Sequence, residues 1–286
     1  MRTAIVTVVT DDFVDGARVL FASLRRHNPT LTADIVVFHN DDVAPLSAES
    51  CQTLTEQEPG IVFQHVDVAP YERLFAQRDE VLQTPARLIA AFVIIDAFRL
   101  TDFDRVVCLD SDMLIIGSLD ELFNCDADFA AVTAVDETTG EMRRNFNTGV
   151  MVIGPRHLTG STFAEITERT VMTSVDRERG KADQAVLNRY FETRPHERLA
   201  QKYNVTKRMV PEAAGPLEQM LDEADARILH FVGAKPWTVN WSMRDWGYES
   251  AEAMWWAEYF TISGSHTPAE IFGQRRSEIL LGNRDQ

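Results

Sequence analysis

The sequence predicts an α/β fold: a mostly parallel sheet with helices on both faces, in one domain that carries a C-terminal extension. Three observations point there. Apolar strand runs alternate with helical stretches along the first part of the chain, as they do when parallel strands are joined by crossover helices. The 286 residues, 45% of them hydrophobic and 25% charged, suffice for one large core. No repeat, low-complexity linker or composition break divides them.

Taken in order, Ala4 to Thr10 is a continuous apolar run of the kind buried on both sheet faces. A helix from about Asp15 to His27 follows, with Ala17, Leu20, Phe21 and Leu24 on one side. A second strand spans Asp34 to His39, a helix about Ser47 to Glu58, and a third strand Ile61 to Val68. A long apolar helix runs from Thr84 or Pro85 to Leu100, with proline in its first turn, into a buried strand Arg105 to Leu109. Further strands are expected at Phe129 to Val135, Thr148 to Ile153 and Arg227 to Val232. Helices are expected at Phe163 to Thr173, Ala182 to Phe191 and about Ala251 to Tyr259. Residues 1–240 form the expected domain and 241–286 the extension, which packs on the domain or shapes a binding site.

A net charge of −16, from 28 Lys+Arg against 44 Asp+Glu, repels polyanions and argues against nucleic-acid binding. Three cysteines without a CxxC pair suggest neither a disulfide framework nor a zinc site, and fit a reducing cytoplasm. No apolar stretch reaches spanning length, and the N-terminal run lacks a signal-peptide cleavage pattern, so a soluble cytoplasmic protein is expected.

The chemistry concentrates at Asp110-Ser111-Asp112, directly after a buried strand. Ligands of open α/β sheets bind at the carboxyl ends of strands. Two acids alternating on an extended segment point the same way and can share one cation. Hard oxygen ligands suit magnesium or manganese, which also take diphosphate oxygens. On spacing alone a solvated turn is an equal reading. A haloacid-dehalogenase-type phosphatase is another, although its aspartate pair sits on an early strand.

Around that pair the segment Phe103 to Phe123 resembles glycosyltransferase family 8, whose members include glycogenin, galactinol synthase and bacterial lipooligosaccharide galactosyltransferases. Three further segments match in order: Phe146-Asn-Thr-Gly-Val-Met-Val152, Ala182-Asp-Gln-Ala-Val-Leu-Asn188 and His230-Phe-Val-Gly-Ala-Lys-Pro-Trp237. The start, with Gly16-Ala17, Val19-Leu20 and Ser23-Leu24, is also similar, so the likeness spans roughly residues 3 to 240. It implies a GT-A (Rossmann-like) fold and a retaining enzyme that moves a hexose, glucose or galactose, from a UDP-sugar to an acceptor hydroxyl. The acceptor is a carbohydrate, a lipid-linked sugar or a protein.

The resemblance also assigns residues. Asp110 and Asp112, with His230 as third ligand, hold manganese (or magnesium), and Ser111 lies between them. Gly233 lets the backbone approach the diphosphate, and Lys235 faces a phosphate. Asn147 and Thr148 contact the donor sugar or the acceptor. Asp183 bonds the sugar hydroxyls, and Gln184 lies near the anomeric carbon. Val8, Thr10 and Asp11 border the uridine, with Phe13 either stacked on uracil or packed in the core. Because glutamine is a poor nucleophile, a front-face transfer is expected.

Two departures stand out. The basic residue implied on the helix before the aspartates is replaced by Val93 or Ile94, with Arg87 a candidate substitute; Gly180 stands where glycogenin-like members carry an aspartate. A UDP-sugar-binding protein without activity and a self-glycosylating protein are therefore alternatives, the latter through Tyr71, Tyr190, Tyr203, Tyr248 or Tyr259. A sugar nucleotidyltransferase fits less well, since Thr10-Asp-Asp-Phe13 contains no glycine-rich loop. Trp237, Trp241, Trp246, Trp255 and Trp256 either stack on an acceptor or pack the extension. A homodimer stays open.

Overall fold

Along β1 (Thr3–Val8) neighbouring side chains enter different cores: Ala4 and Val6 join one apolar cluster and Ile5 the other. A strand buried on both faces needs cover on both, and the rest of the chain supplies it. A computed structural model of the chain describes residues 1–136, 141–238 and 246–264.

Helix α1 (Val14–His27) presents Ala17, Leu20, Phe21 and Leu24 to the second cluster and leads to β2 (Asp34–His39). Ser47 opens α2 (Ala48–Gln57), its hydroxyl accepting from the Ser50 N–H, an N-cap that satisfies one of the unpaired first-turn donors. Next come β3 (Val62–His65), shorter than the expected strand, and α3 (Glu72–Gln77). The expected long helix spans Ala86–Arg99 but is wound as a 3-10 helix. At about 2.0 Å per residue it reaches farther than an α-helix of equal length. Phe92, Val93, Ile95 and Phe98 on it are fully buried in the first cluster.

Strand β4 (Arg105–Leu109) returns beside β1, and the chain leaves the main sheet through β5 (Met113–Ile115) and α4 (Asp120–Phe123). Strand β6 (Phe129–Val135) precedes β7 (Met142–Ile153), which starts earlier than expected. Helix α5 (Gly160–Ala164) opens on Thr159 and widens into a π-wound turn over Glu165–Arg169. Then follow α6 (Ala182–Tyr190), β8 (Glu197–Leu199), β9 (Val205–Thr206), α7 (Leu217–Glu223), β10 (Ile228–His230) and α8 (Glu249–Ser263).

The main sheet runs β3-β2-β1-β4-β7-β6-β8, with β7 antiparallel to both neighbours and the other pairings parallel. The chain moves outward from β1 to β3, then returns to β4 on the other side of β1. That reversal opens a crevice at the carboxyl ends of β1 and β4. A second sheet, β5-β10-β9, stands beyond it.

Helix α8 packs Trp255 and Tyr259 against Val19, Leu114, Phe231 and Trp237 in a third cluster. Lys207, fully buried, donates to the Ala234 carbonyl (2.7 Å) and lies 3.5 Å from Glu252 of α8. Removing one partner of such a buried pair costs about 3–5 kcal/mol, so α8 and the loop after β10 hold each other. Trp255 is fully buried and Trp246 is 65% exposed, so the tryptophans do not form one surface. Trp241 and the remainder of the expected extension, 239–245 and 265–286, lie outside the described residues.

Candidate active site

The two aspartates fall in the passage from the main sheet to the second one. The Asp110 N–H donates to the Gly149 carbonyl of β7, and the Phe231 N–H donates to the Asp112 carbonyl, both at 2.9 Å. Pinned at both ends, residues 110–112 form a turn and not the extended segment that alternation suggested. The carboxylates still converge, on His230 at the end of β10. His230 Nε2 lies 3.6 Å from Asp110 Oδ2 and 3.1 Å from Asp112 Oδ1. One donor atom from each of the three falls within 4.8 Å of the others.

The electrostatics separate the two acids. Asp110, half open to the crevice, is pushed up to about 6 by desolvation and then by the Asp112 charge. For Asp112 burial works against ionisation, yet Lys235 and then His230 outweigh it and hold the carboxyl well below the usual range. Lys235 forms an ion pair with Asp112 and donates to the Phe231 carbonyl (2.9 Å). Gly233, at φ +77°, makes the turn that brings Lys235 back to the aspartates. Two carboxylates and an imidazole that share a small space, with one acid raised by burial and by its neighbour, fit a hard divalent cation such as manganese or magnesium.

The loop after β1 closes one side. Gly16 is pressed so closely that a Cβ there would stand 2.5 Å from the Ser111 carbonyl oxygen and 2.6 Å from the Trp237 ring. Trp237 donates from Nε1 to the Asp12 carbonyl (2.8 Å). Phe13 meets Trp237 edge-on at 5.6 Å between centroids, and Lys235 Nζ lies 5.7 Å from the Phe13 ring centre. Phe13 therefore packs and also borders the crevice. Val8 ends β1 half-buried against the first cluster, with Thr10 just beyond it. Asp11 turns toward α2: its Oδ1 accepts from the Ser47 N–H (2.8 Å) and the Ser50 hydroxyl (2.6 Å), which lower its pKa.

The opposite side is made by β7 and the start of α6. Asp183, buried and bonded to the Thr148 hydroxyl, is pushed up to about 7 by desolvation and then by Asp110. Asn147 Nδ2 donates to Gln184 Oε1 (3.1 Å), and Gln184 Nε2 donates to the Arg179 carbonyl (3.2 Å). Ala182, just before Asp183, sits in the left-handed region at φ +44°, a strained conformation for a residue with a side chain. At Gly180, φ +141°, a Cβ would lie 2.6 Å from Gln184 Cγ and Nε2, so no side chain fits beside the glutamine as it stands.

Arg87 is exposed, and among the described residues no hydrogen bond or ion pair joins it to this cluster. Val93 and Ile94, where a cation was implied, are buried in the first core cluster.

Four further residues take part to which the sequence reading gave no role. Asn204, 1% exposed, has Oδ1 2.8 Å from His230 Nδ1, and its Nδ2 donates to Asn147 Oδ1 (2.7 Å). Asn188 bonds the Phe146 N–H and carbonyl, both at 2.8 Å, and so ties α6 to β7. Gly149 leaves no room for a Cβ among Asp110, Asn147 and His230, and Gly16 does the same at Ser111. The three that lie in matched segments were visible only as motif letters; Asn204 lay outside those segments.

A model of the family described as glycosyl transferase family 8 matches residues 4–240. Glycogenin of Neurospora crassa is 28% identical over 257 residues, covering 88% of this chain and 34% of that protein. Human glycogenin-2 is 28% identical over 278 residues, covering 90% of this chain and 50% of its own length. The chain thus spans half or less of these relatives. Among solved structures the galactosyltransferase LgtC, crystallised with donor and acceptor sugar analogs, superposes with a TM-score of 0.59 at 19% identity. That match covers 94% of this chain and 99% of LgtC, and so shares the fold. No helix among the described residues is long and apolar enough to cross a membrane.

Proposed function

The chain belongs to glycosyl transferase family 8, and from that premise we propose that it moves glucose or galactose from a UDP-sugar to an acceptor hydroxyl. Transfer requires a divalent cation and retains anomeric configuration. The observation that carries this reading is the meeting of Asp110, Asp112 and His230 beside the β1/β4 crevice, with Lys235 against them.

Asp110, Asp112 and His230 hold manganese, or magnesium. When bound, the cation supplies Lewis-acid stabilisation of the departing diphosphate. Lys235 exchanges part of its pairing with Asp112 for charge-assisted bonds to phosphate oxygens, and the Gly233 turn lets the backbone come near them. Val8, Thr10, Asp11 and Phe13 border the uridine. On the other side Asn147, Thr148, Asp183 and Gln184 receive the sugar. Asp183, titrating near 7, both donates to and accepts from hydroxyls around neutral pH.

Both polar atoms of the Gln184 amide are engaged by protein groups, which supports a positioning role and not a nucleophilic one. The bond from the anomeric carbon to the diphosphate breaks, and the acceptor oxygen bonds to that carbon from the same face. The acceptor's proton passes to the diphosphate oxygen that leaves. A glycosyl adduct trapped on Asp183 contradicts this route.

Transfer to a separate acceptor is favoured over self-glycosylation at tyrosine. Tyr71, Tyr190, Tyr203 and Tyr259 are buried, and Tyr248 is half-buried with Lys207 Nζ 5.6 Å from its ring centre. The burial of Val93 and Ile94, which leaves no cation at that helix position, favours as second reading a protein that binds UDP-sugars without turnover. A cytoplasmic location, in keeping with the free thiols of Cys51, Cys108 and Cys125, belongs to the same proposal.

The test is UDP release from a panel of UDP-sugars with manganese, with a chelator and in Asp112→Asn. Manganese-dependent release from one sugar, lost in the variant, is expected. Manganese-dependent UDP binding without release from any sugar supports the second reading, and absence of UDP binding refutes both.

A further inference from the structure

One line of side chains crosses from the acidic cluster to the sugar side. His230 Nδ1 lies 2.8 Å from Asn204 Oδ1, and Asn204 Nδ2 lies 2.7 Å from Asn147 Oδ1. Asn147 Nδ2 is 3.1 Å from Gln184 Oε1, and Gln184 Nε2 is 3.2 Å from the Arg179 carbonyl. Each carboxamide has one accepting and one donating end, so the direction of one bond dictates the next.

Two backbone groups that cannot reverse fix that direction. The Gly149 N–H can only donate, and it meets the Asn147 side chain at 2.8 Å, so the atom there is the oxygen. Asn147 must then receive from Asn204 and donate to Gln184. That leaves the Asn204 oxygen facing His230, whose Nδ1 therefore carries a proton. At the far end the Arg179 carbonyl can only accept, which demands the Gln184 NH2 group and the same direction. Nε2, 3.1 Å from Asp112 Oδ1 and 3.6 Å from Asp110 Oδ2, faces acceptors while the site holds no cation. Because Nδ1–H is held by Asn204, Nε2 is the nitrogen that gives up its proton and offers a lone pair when a cation binds.

We propose that Asn204 is a positioning residue that sets the His230 tautomer for metal ligation and, through Asn147, the orientation of the Gln184 amide. Its place follows from the fold: β9 pairs with β10 in the register Leu229 to Val205 and His230 to Thr206, which brings the residue just before β9 beside the imidazole. Only a carboxamide serves both neighbours. Aspartate can accept from His230 but has nothing to donate to Asn147, and leucine fills the space while doing neither. Ligating histidines held by such a partner lose affinity for metal when it is removed. What the site binds rests on the function proposed above; the direction of the line does not.

The test compares the wild type with Asn204→Leu and Asn204→Asp, labelled with 15N at histidine. Long-range 15N–1H correlations on the metal-free proteins read whether His230 Nδ1 carries a proton, and the 1H shift of that proton reads its hydrogen bond. Manganese titration and steady-state transfer follow, with thermal melting to verify folding. A hydrogen-bonded Nδ1–H is expected in the wild type and in Asn204→Asp. Asn204→Leu should lose it and bind manganese about 10- to 100-fold more weakly. Asn204→Asp should keep manganese affinity within a few-fold while kcat falls, because Gln184 is no longer oriented. A bare Nδ1 in the wild type, or an unchanged hydrogen-bonded Nδ1–H with unchanged manganese affinity in Asn204→Leu, overturns the proposal. A wild type with a hydrogen-bonded Nδ1–H and no manganese binding removes the proposed function of the site and leaves the Asn204–His230 assignment standing.

Discussion

On the β4–β10 side of the crevice Asp110, Asp112, His230 and Lys235 crowd ionisable groups together, whereas on the β7–α6 side Asn147 and Gln184 meet through neutral amides, Asn188 bonds the Phe146 backbone, and Asp183 stands beside them bonded to the Thr148 hydroxyl. The first side is under electrostatic tension, visible in the opposite displacements of Asp110 and Asp112 although only one residue separates them. The second has its amides bonded to neighbouring protein groups and gains rigidity from them. The difference supports the proposed division of labour: the charged side suits a cation and a diphosphate, whose charge changes during transfer, and the amide side suits a sugar, whose hydroxyls need fixed directions.

Substitutions on the two sides should therefore fail in different ways. The largest effect is expected from Asp112→Asn, which removes a proposed cation ligand and the partner of Lys235. Steady-state UDP release should fall about a thousand-fold, the several kcal/mol that a bound cation contributes. Gly180→Ala forces a Cβ against Gln184 at a backbone angle that disfavours side chains. Its kcat should fall by up to about 100-fold, since displacements near 1 Å suffice for that, with UDP affinity intact. Lys235→Met should raise the apparent Kd for UDP about 10- to 100-fold, the value of a hydrogen bond to a charged group, and leave sugar preference unchanged.

The smallest effect concerns pH. Asp110 goes from an ordinary value of 3.8 to about 6 in the fold, so the metal-free folded state holds that proton more tightly than the unfolded chain does. Stability without metal then declines as pH rises through the window between those values, and Asp183, raised to about 7, extends the decline. Manganese needs the carboxylate form, so its affinity should rise by at most about tenfold per pH unit up to about 6. Melting curves with and without manganese at pH 5 and pH 7 should show the larger stabilisation at pH 7. Equal stabilisation at both contradicts the coupling.

The same two regions differ in how much of them the sequence displays. Strands β1, β2 and β6 and helix α1 were legible because uninterrupted apolar runs and helical spacing are local signals. Strands β8 and β9 carry Glu197, Arg198 and Thr206 and exist through pairing with β6 and β10, which no local pattern reports. Strand β7 begins at Met142 because pairing with β6 extends past the apolar stretch into exposed Arg143 and Arg144. The 3-10 winding of Ala86–Arg99 has no local signal either, since its residues are ordinary α-helix formers. Asp110 and Asp112 were readable as a pair after a strand, while His230 and Lys235 entered through resemblance. Asn204 was invisible, because an amide that orients a histidine across two strands is known only once those strands are paired.

The division of labour is tested most directly by calorimetric titration of UDP into the wild type, Asp112→Asn and Gln184→Ala, each with manganese and with a chelator. The account predicts manganese-dependent binding in the wild type, the same binding in Gln184→Ala, and its loss in Asp112→Asn. Equal binding in all three, or wild-type binding that survives the chelator unchanged, would contradict it.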